Sequence, residues 1–204
     1  MKYVLLLIRK SLFNKSYFLL ISLIVLLLIL RFNFDPYTLP GVINEVSDFD
    51  LISNTGEQIS KKELLGKITV LDFIYTRCTG TCPILANHMK KLYDEFKDYP
   101  TVQFISISID PTDTQKDLND YAIKNGVYDN RWKFLYGDSK FLQFFSKSSF
   151  NINAENSVDW HSKKMFLIDS NYMIRQFYNG TLKKDVNLLK NHLYKLINEK
   201  NQNI

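Results

Sequence analysis

Apolar residues along this 204-residue chain follow three patterns. The first is unbroken: YFLLISLIVLLLIL (17–30) carries no charge and presents no polar face. As a helix it is about 21 Å long, somewhat short for a hydrocarbon core of about 30 Å. Phe32 and Phe34 extend it if Arg31 turns its head to water. The second pattern is the short run rich in β-branched and aromatic residues. KITVLDFIY (67–75) and TVQFISISI (101–109) predict buried strands, and WKFLYG (132–137) a short one. KKMFLID (163–169) and YMIRQFYNG (172–180) predict a paired hairpin, and DFDLISNTGEQIS a smaller one around Asn54-Thr55-Gly56. The third pattern has helical period. PILANHMKKLYDEF places Ile84, Leu85, Met89, Leu92 and Phe96 on one face, with Pro83 at the first helical position. DTQKDLNDYAIKN predicts a helix closed by Gly126, SKFLQFFSKSSF another, and KKDVNLLKNHLYKLINEK a final amphipathic one.

Strands alternating with helices call for an α/β sheet with helices on both faces. A strand that ends in a cysteine loop opening a helix matches the thioredoxin-like plan. Three parts follow: a basic flank and membrane anchor at 1–34, a linker at 35–46 broken by Pro36, Pro40 and Gly41, and a folded domain at 47–204.

Charge changes the picture only at the N-terminus. The formal net charge is +5, yet residues 1–34 hold five basic residues and no acidic one. The remainder balances at 21 basic against 21 acidic residues, so no excess of cations marks a nucleic-acid surface. The cationic flank predicts an N-terminus left in the cytoplasm and an exported domain. A cleaved signal peptide is the rival reading; RFNFDPYTLPG offers it no small-x-small cleavage site. Export would put the two cysteines in an oxidising compartment.

Those cysteines are Cys78 and Cys82, in TRCTGTCP. Cys82 stands at the start of the helix, where free amides and the helix dipole favour a thiolate, so its pKa is expected to fall. The spacing permits a disulfide, and equally chelation of a soft ion such as Cu(I). A disulfide closing so short a loop removes little unfolded-state entropy, which speaks against a purely structural bond. A structural zinc site would need four ligands, and the chain has two cysteines and three histidines. His88 lies six residues past Cys82, turned about 240° from the helix mouth and about 9 Å along the axis. His192 is expected on the outer face of the last helix. His161, just before a core strand, is the histidine that a thioredoxin-like loop would bring to the cysteines. Asp72 is a carboxylate inside a buried strand, which needs a reason. Arg77 either tunes the thiols or is simply exposed. Asp110-Pro111 reads as a turn ending a strand. Phe144-Phe145 and Phe177-Tyr178 read as core or rim.

YTRCTGTCP, FISISIDPTDT and HSKKMFLIDS, in this order and at these distances, resemble the Sco/SenC copper-binding proteins that assist cytochrome c oxidase. The resemblance runs from about Ser47 to the C-terminus and takes in the N-terminal anchor. It implies a thioredoxin-like fold and a copper ion held by Cys78, Cys82 and His161. It implies a membrane-anchored metallochaperone, not an enzyme, whose partner is the copper-bearing subunit of the oxidase. The compartment would be a bacterial inner membrane with the domain in the periplasm, in preference to the mitochondrial inner membrane. Four departures stand out. Thr79 replaces the usual proline after the first cysteine. The segment after Asp110-Pro111 is one residue short. Trp160 replaces a polar residue before the histidine, leaving Asp159 as its nearest hydrogen-bond partner. LIDSNYM lacks the common turn glycine. None removes a ligand.

A second reading shares the cysteines. VLDFIYTRC also resembles the thioredoxin pattern, in which a buried aspartate below the pair handles protons during dithiol exchange. Asp72 would then be a proton relay, and the chain a thiol–disulfide reductase keeping the oxidase's copper-site cysteines reduced. Against full thioredoxin chemistry, no proline follows Pro111, and the region facing the cysteines carries His161 instead. A copper or redox sensor is a third, weaker reading.

Overall fold

A computed structural model of the chain describes residues 15, 17–28, 38–152 and 163–202. The chain divides into two units, Met1–Thr38 and Leu39–Ile204. In the first, residues 17–28 form helix α1, whose apolar side chains are exposed. Twelve residues of helix reach about 18 Å. Among the described residues no helix is long and apolar enough to cross a membrane. Ile29 and Leu30, the end of the expected span, lie outside the described residues.

The second unit is built on one eight-stranded sheet. Its strands are β1 (Asn44–Glu45), β2 (Asp50–Ser53), β3 (Gln58–Ser60), β4 (Ile68–Ile74), β5 (Val102–Ser108), β6 (Trp132–Tyr136), β7 (Lys164–Ile168) and β8 (Met173–Asn179). Its helices are α2 (Cys82–Glu95), α3 (Gln115–Lys124), α4 (Ser139–Phe150) and α5 (Lys183–Gln202). The order across the sheet is β1-β8-β7-β4-β5-β6-β2-β3. β4, β5 and β6 run parallel, and every other pairing is antiparallel. The expected strands and helices are all present to within a few residues. Asn44–Glu45, in the stretch expected as linker, pair with Ile174 and Met173 at the sheet edge, and Val46 beside them is fully buried.

All seven residues of β4 and all seven of β5 are buried, as central strands covered on both faces must be. Their alternation splits the core in two. Val70, Phe104, Phe134 and Leu167 face Leu85, Met89 and Leu92 of α2, Leu118 of α3 and Leu189 and Leu193 of α5. Leu71, Phe73, Ile105 and Phe166 face Leu142, Phe145 and Phe150 of α4. Successive right-handed crossovers from β4 to β5 to β6 put α2 and α3 on the same face. This is the expected thioredoxin-like arrangement, with α2 issuing from the carboxyl end of a central strand.

Two backbone features bear on the sequence reading. The turn after β7 lacks glycine, and Tyr172 takes the left-handed conformation in its stead, with φ 69°. Gly180 passes so close to α2 that a Cβ there would lie 2.1 Å from Leu85 Cδ1 and 2.9 Å from Met165 Cγ. Any side chain at 180 would force Leu85 and Met165 to repack.

Candidate functional site

The site lies where β4 gives way to α2. β4 delivers the chain to Tyr75, a turn closes with the Cys78 amide donating to the Tyr75 carbonyl at 3.1 Å, and α2 begins at Cys82. Pro83 occupies the first turn of the helix, where a missing N–H costs nothing. Both cysteines are free thiols, Cys78 partly exposed and Cys82 8% exposed. Each thiol bears on the acidity of the other.

Their roles are the reverse of the expected ones. Burial works against a thiolate at Cys78, but the Cys82 thiol and the amides of Cys82, Gly80 and Thr81 donate to its sulfur, and its pKa falls below the ordinary value. Burial, the hydrogen bond to Cys78 and the Cys78 charge push Cys82 up to about 12. The reason is geometric. The unpaired amides of a helix start point at whatever precedes the helix. Cys82 is already inside α2, so the sulfur in front of those amides belongs to Cys78. Thr81, at the N-cap, makes no side-chain cap that would compete.

Asp72 sits below this pair in β4 and is fully buried. Ser106, its partner across the β4–β5 ladder, donates to Oδ1 at 2.5 Å, and Trp132 Nε1 in turn donates to the Ser106 hydroxyl at 2.9 Å. Oδ2 is buried with no hydrogen-bond partner. Burial raises the pKa of Asp72 from 3.8 to about 7, against the lowering effect of the Ser106 bond. Its charge bears on Cys82. A third group, missed in the sequence, is Tyr121 of α3. Burial, then the charges of Asp72, Cys82 and Cys78, raise its phenol pKa. No motif marks it; its place is set by tertiary packing, with Tyr121 edge-on to Phe134 of β6 at 5.8 Å.

Arg77 does not serve the thiols. Its guanidinium donates to Asp110 and Thr112 and lies 3.7 Å from Asp113 Oδ1. Asp110 does end β5 in a turn, with the Asp113 amide donating to its carbonyl at 3.1 Å. Phe145 and Tyr178 are core, while Phe144 and Phe177 are exposed.

Neither α2 nor α5 offers its histidine to the thiols. His88, expected in solvent, is half-buried and donates through Nδ1 to the Gly180 carbonyl at 2.7 Å. His192, expected on the outer face of α5, is instead 4% exposed. It stands three residues after Leu189 and four before Leu196, hence on the buried stripe, and its Nδ1 shares a 2.6 Å hydrogen bond with the Tyr178 hydroxyl. A buried phenol needs such a partner. His161, with Asp159 and Trp160, lies outside the described residues. Among the described residues no three His, Cys, Asp or Glu side chains gather as a metal site. The two thiols fit a soft ion in chemistry.

The SCO1/SenC family model matches residues 40–197. The SCO1 protein homolog of Bacillus subtilis (strain 168) is 31% identical over 144 residues, covering 67% of this chain and 74% of that protein. The solved structure of BsSco, described with a disulfide switch and as a member of the Sco family of cytochrome c oxidase assembly proteins, superposes with a TM-score of 0.69. It is 24% identical and covers 78% of this chain and 97% of its own. Arabidopsis thaliana ScoI, solved with copper bound, superposes with a TM-score of 0.61 at 25% identity, covering 75% of this chain and 98% of its own. With the family model spanning most of its length and the paired thiols at the head of α2, this chain belongs to the SCO1/SenC family.

Proposed function

We propose that the chain is a membrane-anchored copper carrier that loads the copper-bearing subunit of cytochrome c oxidase, with Cys78, Cys82 and His161 as the three ligands. The observation that carries the reading is the pair of free thiols brought together where the loop after β4 meets the start of α2, with Cys78 favoured as thiolate. Two sulfurs and an imidazole suit Cu(I). A relative solved with copper bound supports the cargo, and a relative described as an oxidase assembly protein supports the destination. Delivery proceeds by exchange: thiolates of the partner displace the three ligands one at a time. The uncharged run at 17–30, behind a cationic flank, anchors the chain in a bacterial inner membrane with its N-terminus in the cytoplasm and residues 47–204 in the periplasm.

One observation favours a second reading, a reductase of the partner's cysteines. Asp72 is buried, bears electrostatically on Cys82 and titrates near neutrality, as a proton relay for dithiol exchange must. One experiment separates the two. Cells carrying His161→Ala or Asp72→Asn are assayed for copper in the assembled oxidase. Copper delivery requires that His161→Ala abolish loading and that Asp72→Asn leave it largely intact. The opposite pattern, with the Asp72→Asn defect rescued by added reductant, would sink the carrier and leave the reductase.

A further inference from the structure

The two residues immediately before Cys78 both reach across to another loop. Thr76 Oγ1 donates to Asp113 Oδ1 at 2.7 Å, and the Arg77 guanidinium binds Asp110 and Thr112. Asp113 is held from its own side as well. Ser108, the last residue of β5, donates to its Oδ2 at 2.5 Å, so both carboxylate oxygens are engaged by hydroxyl donors. The Asp113 side chain has no exposed surface. Its mount is stiff at both ends. One end is a fully buried strand. At the other, Thr114 opens α3 with a reciprocal capping box to Asp117.

The thiol loop needs such an anchor. Three amides must converge on Cys78 Sγ, and α2 fixes only the far end of the loop. At the near end the loop's own bond is the one from the Cys78 amide to Tyr75. To this the contacts of Thr76 and Arg77 with residues 110–113 add restraints made across more than thirty positions of sequence. Hydrogen bonds to an ionised acceptor are about twice as strong as neutral ones.

We infer that Asp113, seconded by Asp110, is a positioning residue: it clamps the segment before Cys78 to the β5–α3 loop and so presets the thiol pair for its ligand. This rests on the reading of Cys78 and Cys82 as the working thiols. Asp113 touches neither sulfur and acts through Thr76.

The test uses the full chain, reduced and metal-free, in detergent micelles. Backbone hydrogen exchange is followed in wild type, Thr76→Val, Asp113→Asn and Thr76→Ser. Thr76→Val keeps the shape and removes the donor. It should speed exchange across residues 75–82 by about tenfold, the effect of one ordinary side-chain hydrogen bond. β5 and α3 should exchange as in wild type, and Thr76→Ser should restore the loop. In parallel, Cu(I) affinity measured against a chromogenic chelator should fall about tenfold in Thr76→Val and recover in Thr76→Ser. Loop exchange unchanged in both Thr76→Val and Asp113→Asn overturns the clamp. So does exchange that rises equally through β5 and α3, which marks a merely structural role. If wild type takes up no Cu(I), the carrier reading fails, while loop exchange still decides the clamp.

Discussion

Asp72 and Asp113 have equally buried side chains and opposite surroundings. Asp113 has a hydroxyl donor on each oxygen and a guanidinium 3.7 Å away. Asp72 has one donor, on Oδ1, and an Oδ2 facing no partner. Burying an ionised carboxylate is tolerable only when its oxygens are satisfied. Asp113 meets that condition on both oxygens and holds a loop. Asp72 does not, and its proton affinity rises toward neutrality. The same side chain is thus a clamp in one loop and an exchangeable proton site in the strand beside it.

The largest expected effect tests the Asp72 half of this contrast. In the unfolded chain its carboxyl titrates near 3.8, and in the fold near 7. Between those values the folded chain holds a proton that the unfolded chain has lost. The contribution of Asp72 to stability is therefore fully present below about pH 4 and is lost as pH rises through about 7. Asp72→Asn keeps an acceptor for Ser106 and removes this dependence. Urea unfolding should find the variant equal to wild type near pH 4 and more stable at pH 8 by up to about 4 kcal/mol. A difference that does not change with pH would show that Asp72 is ionised in the fold after all.

Next in size is the removal of the clamp carboxylate. Asp113→Ala leaves the Thr76 and Ser108 hydroxyls without the acceptor they share and Arg77 with Asp110 and Thr112. Leaving two such hydroxyls unpaired costs about 2 kcal/mol. The urea midpoint should drop accordingly at pH 7. A loss below about 1 kcal/mol would mean that water replaces the carboxylate and that Asp113 is no more committed than a surface group.

How much of this contrast is legible in the sequence differs between the two aspartates. Asp72 announces itself: a single charge in VLDFIY, inside a run otherwise apolar. Its strand, the Cys78–Cys82 loop and the helix from Pro83 follow from residue periods and spacing, which are local. Asp113 looks like any loop aspartate after Asp110-Pro111, because its partner Thr76 lies 37 positions away and only the parallel pairing of β4 with β5 brings the loops together. The order of the two thiols is hidden for a related reason. It depends on which sulfur lies in front of the amides of residues 80–82 and which is buried, and both are set by tertiary packing. His192 was misplaced because it is polar, although its position on α5 is among the buried ones.

The thiol pair carries the contrast into reactivity. Cys78 is favoured as thiolate and partly exposed, whereas Cys82 is pushed up to about 12 and 8% exposed. Iodoacetamide at pH 7.5, with peptide mapping, should label Cys78 more than about tenfold faster than Cys82. Equal labelling, or Cys82 first, would restore the expectation drawn from the helix start alone and would detach Asp72 from the thiol it is thought to serve.

The smallest effect comes from a third buried aspartate, which serves as a control. Asp169 is 7% exposed and follows β7, whose Ile168 pairs with Thr69, so it lies at the end of the sheet opposite the thiols. Its Oδ1 accepts from the amides of Asn171 at 2.9 Å and Met173 at 3.1 Å, and its Oδ2 from Arg175 at 3.1 Å. It is satisfied as Asp113 is, yet touches no segment of the thiol loop. Asp169→Asn keeps the carbonyl oxygen for the two amides and surrenders the charge that holds Arg175. That pair lies near the surface, with side chains 20% and 11% exposed, so the cost should be about 1 kcal/mol. The loss should show as a lower urea midpoint at pH 7, with Cys78 labelling and exchange across 75–82 at wild-type values. If Asp169→Asn also loosened the thiol loop, the effect assigned to Asp113 would be one of general stability, and the distinction between a carboxylate that holds the loop and one that only holds the fold would be lost.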